Sequence, residues 1–224
     1  MPIPVPLPLA AHPPADALLL LVLLVGLYML DTTRLASCIR AGALQAVLIA
    51  PLPLMLHPGQ HGIHVLLITA VPLLLKAVLV PGFLFWTVRE AHIRHEVEFF
   101  LGPRATLLVA GAAVALAFLL SGRLELGAAA QTRFLGPVAL SMVFFGLLML
   151  VTHVQAISQV VGYLVLENGV LLFGLALAGT MPWMVEMAIL LDVFVAVFIM
   201  GIFVNRIQRG FESADSPGPD PEGH

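Results

Sequence analysis

The sequence predicts an all-α membrane protein, a bundle of about seven transmembrane helices, and three observations carry that reading. Of the 224 residues, 60% are hydrophobic and only 10% are charged, whereas a soluble domain carries about a quarter charged residues. The charges fall in short clusters between long apolar runs. Those runs are continuous rather than alternating, which favours helices over a barrel, the two backbones that satisfy themselves in lipid. The pattern excludes a soluble globular enzyme, a disordered chain and a nucleic-acid binder, which needs a basic surface. Cys38 is the single cysteine, so this chain alone builds no internal disulfide, iron–sulfur cluster or nickel thiolate site.

A helix needs about 20 mostly apolar residues to cross the hydrocarbon layer. The runs that meet this are 15–30, 35–56, 63–86, 105–121, 135–152, 156–178 and 181–204. The first is the shortest. The segment before it, 1–14, is proline-rich and carries no Lys or Arg, unlike the basic start of a signal peptide, so a retained span behind an irregular tip is expected. Pro51, Pro53, Pro72 and Pro81 fall inside spans. Neighbouring helices re-satisfy the carbonyls that such prolines free, so kinks rather than breaks are expected.

Arginine placement sets the orientation. Arg34, Arg40, Arg89, Arg94, Arg104, Arg206 and Arg209 fall on one side of the alternating spans, and only Arg123 and Arg133 on the other. The positive-inside rule makes the richer side cytoplasmic, with the N-terminus outside and the C-terminus inside. The tail, 208–224, is polar and rich in Pro, Gly, Asp and Glu, a disordered composition. The connection 87–104 mixes Arg with Glu90, Glu96 and Glu98; it is either a solvated loop or a docking element. Matched halves, the mark of an inverted-repeat transporter, are not evident.

With the charges of loops, tails and span ends set aside, the spans keep Lys76, Glu167, Glu186 and Asp192. Each costs about 2.5–3.5 kcal/mol near a helix centre on insertion scales, so its retention calls for a reason. Lys76, Glu167 and Asp192 fall near the middle of three different spans, whereas Glu186 lies nearer a span end. Together they suggest a row of polar sites across the bilayer midplane. Burial disfavours the charged form of a side chain, which suits groups that load and release protons, and a proton relay is the expected use. A Lys–carboxylate pair that only fixes helix packing is the structural alternative.

The sixth span adds a local argument. Gln155, Gln159, Tyr163 and Glu167 recur every four residues and form one slowly drifting stripe, able to line a chain of waters that ends at a carboxyl. Gly162, Gly169 and Ala176 recur every seven on a different face and permit close helix approach. His57, His61 and His64, and His92 and His95 with Glu96, lie in connections. Pro58, Gly59 and Gly62 argue against the helical spacing a metal would need in the first group, so no metal site is expected. A phosphate-cradling glycine loop, a nucleophile elbow and paired CxxC motifs are all missing.

The segment Gln159-Val-Val-Gly-Tyr-Leu-Val-Leu-Glu-Asn-Gly-Val170 resembles the hydrogenase-4 component E family, membrane subunits of group 4 nickel–iron hydrogenase and formate hydrogenlyase complexes. Leu73-Leu-Leu-Lys-Ala-Val-Leu-Val-Pro81, Val151-Thr-His-Val-Gln-Ala-Ile-Ser-Gln-Val160, and Val185-Glu-Met-Ala-Ile-Leu-Leu-Asp-Val193 with the later Met200-Gly-Ile fit the same family. The last three spans are similar to complex I subunit K and to its small membrane counterpart in Mrp-type antiporters. That similarity implies that Asp192 takes the place of the second of two relay glutamates. Gly162 and Asn168 align with the pattern around the first, but here the carboxyl comes three residues later, at Glu167, close to one helical turn. The resemblance also singles out Lys76.

The expected protein is therefore a non-catalytic subunit in a bacterial or archaeal cell (inner) membrane. It would contribute Glu167, Asp192, Lys76 and Glu186 to proton translocation, supported by Gln155, Gln159, Tyr163 and Asn168. The resemblance implies membrane and peripheral partner subunits that hold the redox centres; no cofactor of its own and no nucleic acid are expected. The expected organisation is a proline-rich tip (1–14), a four-helix region (15–134), a three-helix subunit K-like region (135–207) and a polar tail (208–224). A subunit of a cation/proton antiporter or of another complex I-like assembly, and a purely structural adaptor, are the competing readings.

Overall fold

The computed structural model describes residues 13–56, 77–78, 80–90, 102–123 and 132–177. They all belong to one compact unit, Met1–Ala188, while a second unit, Ile189–His224, lies outside the described residues. Among the described residues the elements are helices: α1 (Pro13–Asp31), α2 (Leu35–Ile49), α3 (Leu52–Leu56), α4 (Val80–Glu90), α5 (Pro103–Arg123), α6 (Leu135–Thr152) and α7 (Ala156–Leu177). Five stretches are long and apolar enough to cross a membrane: Pro14–Asp31, Leu35–Leu56, Arg104–Arg123, Leu135–Thr152 and Ile157–Leu177. These match the predicted first, second, fourth, fifth and sixth spans. The end of the predicted third span is seen in α4. The rest of it, and the seventh span, lie outside the described residues, so the expected total of seven is seen only in part.

Local chemistry accounts for the helix ends. Prolines 13 and 14 open α1, where a missing N–H removes no helical bond, and Asp16 sits in the positive first turn. Thr32 N–H closes the helix on Tyr28 O at 3.0 Å. Arg34 then takes an extended conformation and its carbonyl accepts the Cys38 N–H at 3.0 Å, starting α2. Prolines 51 and 53 interrupt the second span without unravelling it. Ala50 keeps helical torsions and its N–H reaches Ala46 O at 3.1 Å. Met55 N–H reaches Pro51 O at 3.0 Å on the far side of the interruption. The interruption is confined to Ala50 and Pro51 between α2 and α3. Hydroxyls in the apolar helices bond back one turn, Ser141 Oγ to Pro137 O at 2.8 Å and Thr152 Oγ1 to Leu148 O at 2.7 Å, so neither needs a partner from elsewhere.

The most extensive pairing joins α6 and α7; α5 and α1 also pack on α6, and α2 packs on α1 and α7. Small residues set the α6–α7 distance. A Cβ on Gly146 would collide with the backbone and Cβ of Leu166. One on Gly162 would lie 2.7 Å from Met149 Cβ, and one on Gly169 2.5 Å from Val143 N. The two antiparallel helices therefore meet backbone to backbone, as the spacing of Gly162 and Gly169 predicts, and Ala176 is buried at the next position of that face. Gly26 of α1 instead makes room for the side-chain ends of Met142 and Phe145 of α6. Dispersion contacts of this kind, rather than apolar transfer, hold helices together in lipid. α5 is the least enclosed span, with Leu108 78% and Leu119 68% exposed.

Candidate functional site

Four helices bring polar atoms to the middle of the bundle. Gln45, near the centre of the Leu35–Leu56 span, is fully buried. Its Nε2 donates to Met142 Sδ of α6 at 3.1 Å and, more weakly, to Val22 O of α1 at 3.4 Å. Its Oε1 accepts from Asn168 Nδ2 of α7 at 3.0 Å. Val22, Met142 and Asn168 each lie near the midpoint of their own helix, so the cluster forms one layer at mid-depth. Glu167, beside Asn168 on α7, is 2% exposed and belongs to the same layer. An amide pair cannot titrate. It fixes orientation, and it leaves Glu167 as the titratable side chain of this layer among the described residues.

The predicted stripe on α7 runs from half-buried to buried. Gln155 caps the helix, its carbonyl accepting the Gln159 N–H at 3.0 Å. Gln159 Nε2 turns back to His153 O at 3.1 Å, so this amide serves the α6–α7 connection. Gln159 and Tyr163 are partly buried, and Glu167 ends the stripe inside the bundle. Asn168 points to α2 rather than along the stripe. Lys76, Glu186 and Asp192 lie outside the described residues, as do the two histidine clusters. Among the described residues no group of three or more His, Cys, Asp or Glu side chains gathers in the manner of a metal site.

His153, at the connection, is 1% exposed. Its Nδ1 lies 3.1 Å from Thr152 Oγ1. Because that hydroxyl spends its proton on Leu148 O, Nδ1 carries the hydrogen of the pair. Burial holds the imidazole below its ordinary range, opposed by a backbone hydrogen bond with Met149.

Gln45 is the residue that sequence reasoning missed. The available signal was a lone amide at the centre of a 22-residue apolar span; a search restricted to ionisable groups passes over it. Met142 is a softer omission, because a thioether becomes a hydrogen-bond acceptor only once a donor faces it.

An uncharacterised protein of Mycobacterium tuberculosis is 28% identical over 185 residues, 81% of this chain and 83% of that protein. Hydrogenase-4 component E of Escherichia coli and that of Shigella flexneri are each 29% identical over 140 residues, 62% of this chain and 65% of each relative. The chain thus spans just under two thirds of the hydrogenase-4 relatives it matches. No protein-family profile matches the chain, and no solved structure does. With five apolar helices of spanning length, the chain is a multi-pass membrane protein distantly related to hydrogenase-4 component E.

Proposed function

We propose that this chain is a non-catalytic subunit of a hydrogenase-like or complex I-like assembly in a bacterial or archaeal inner membrane, and that it carries protons through Glu167. The observation that carries the reading is the placement of Glu167: a carboxyl buried at mid-depth on α7, beside an amide pair that ties α7 to α2. A carboxyl kept at that depth is costly, and proton transfer gives the cost a use. Lys76, Asp192 and Glu186 extend the relay on the strength of their span positions. The distant kinship with hydrogenase-4 component E supports the assembly. The single cysteine, Cys38, is buried in α2, in keeping with redox centres held by partner subunits.

The test is Glu167→Gln in the assembly purified gently from its own membrane and returned to vesicles. The variant assembles and retains electron transfer, while coupled proton movement falls at least several-fold. Unchanged proton movement would leave the carboxyl a structural part and make the chain an adaptor. The co-purifying subunits identify the assembly: a nickel–iron large subunit supports the hydrogenase reading, and antiporter subunits alone would replace it.

A further inference from the structure

A small cavity lies against α2, α4 and α7. Among the described residues its walls are apolar except for one side chain, Asn168; the others include Gly42 and Ala46 of α2, Pro81 and Leu84 of α4 and Val161 of α7. Its volume is about 20 Å³, and a single water needs roughly 10–15 Å³ of such space.

The hydrogen-bond network decides which Asn168 atom needs a partner. Gln45 faces two acceptors on one side, Met142 Sδ and Val22 O, so its NH₂ must point there and its Oε1 toward α7. Asn168 must then present Nδ2 to Gln45. That leaves Oδ1 on the other side of the amide, buried and without a hydrogen bond from the protein, on a side chain 3% exposed. An orphaned buried carbonyl is costly, and a water that donates to it removes most of that cost. The α4 wall faces α2 and α7 across the cavity. It is formed by Val80, Pro81 and Leu84, and Pro81 has no N–H to give to the carbonyl one turn earlier, so that acceptor lacks its ordinary α-helical donor.

We infer that this cavity is a hydration site for a single water held by Asn168 Oδ1 against the α4 wall, and that this water is a station of the proton path on the α2/α4 side of α7. The second half rests on the reading of Glu167 as a relay carboxyl. Gln45 is then a positioning residue: it touches no proton, but its two donor contacts fix the Asn168 amide with its oxygen toward the water.

The experiment is a density map of the purified assembly fine enough to resolve waters, paired with proton movement in vesicles, for the parent and for Gly42→Ala. A Cβ at Gly42 meets Met29 Cε at 3.6 Å and Val161 Cγ1 at 3.8 Å, ordinary contacts, so the fold accepts the methyl while it takes space at the cavity wall. Should that variant fail to assemble, Val161→Ile fills the same cavity from α7. The parent shows a peak within about 2.7–3.2 Å of Asn168 Oδ1; the filled variant loses it, and proton movement drops at least threefold with electron transfer intact. A parent without the peak overturns the site. Proton movement that survives loss of the peak overturns its role. A peak that stands while Glu167→Gln leaves proton movement unchanged keeps the water site and overturns the relay reading instead.

Discussion

Asn168 and Gln45, 123 positions apart in the chain, share a hydrogen bond of 3.0 Å that joins α7 to α2 at the middle of the bundle. It is the first link of a chain that continues through Gln45 to Met142 Sδ and Val22 O. Gln45→Leu strands the Asn168 amide in an apolar interior and should cost about 1–3 kcal/mol. The double variant with Asn168→Leu should cost less than the two single changes together, because removing both partners leaves no orphan. Coupling between such groups in membranes runs to about 0.6 kcal/mol on average. Denaturation in mixed micelles measures it, and strict additivity would mean that the two amides do not act as a pair.

The α6–α7 contact predicts a contrast between glycines. Gly146→Ala drives a methyl into the Leu166 backbone, which cannot swing aside as a side chain does, so the helices must separate. Overpacking costs about 1–3 kcal/mol or more. Gly82→Ala meets nothing within 4 Å and should leave stability within about 0.5 kcal/mol. Equal melting temperatures for the two variants would refute the close-packed interface.

Stability should fall in acid because of His153. Burial lowers its folded-state value below the ordinary 6.5, so the unfolded chain binds a proton at pH values where the folded one does not. The contribution is complete above pH 6.5 and is lost as pH falls through the lowered folded value. Unfolding followed at pH 8 and pH 5 should show the lower melting temperature at pH 5, and His153→Gln should narrow the gap. A gap of the same size in the variant would assign the acid sensitivity elsewhere.

Cys38 is fully buried in α2, so a water-soluble maleimide should label it only after denaturation. Labelling of the folded protein at the rate of a free thiol would show that α2 is not packed as described.

The spans were legible because lipid demands long apolar helices, and α1, α5, α6 and α7 begin and end within about two residues of the runs that predict them. The α6–α7 interface was half legible: Gly162 and Gly169 mark it on α7, but Gly146 identifies itself as their counterpart only when the helices are paired. Glu167 stood out as a charge where charge is costly. Gln45 did not, because a buried amide costs little once bonded, and its partners come from three other helices that no local pattern links to it.

The backbone contact at Gly146, Gly162 and Gly169 also limits how the site can switch. Helices that touch main chain to main chain along successive turns have no side-chain cushion over which to slide. Swivelling α7 would drive its ridges into α6, and translating it would bring Leu166 against whatever follows Gly146. α6 and α7 therefore behave as a single rigid hairpin, and a gate that works by screwing α7 past its neighbour is closed to this protein. Any change of state at Glu167 must come from torsions of its own side chain, from the position of a proton, or from helices other than α6.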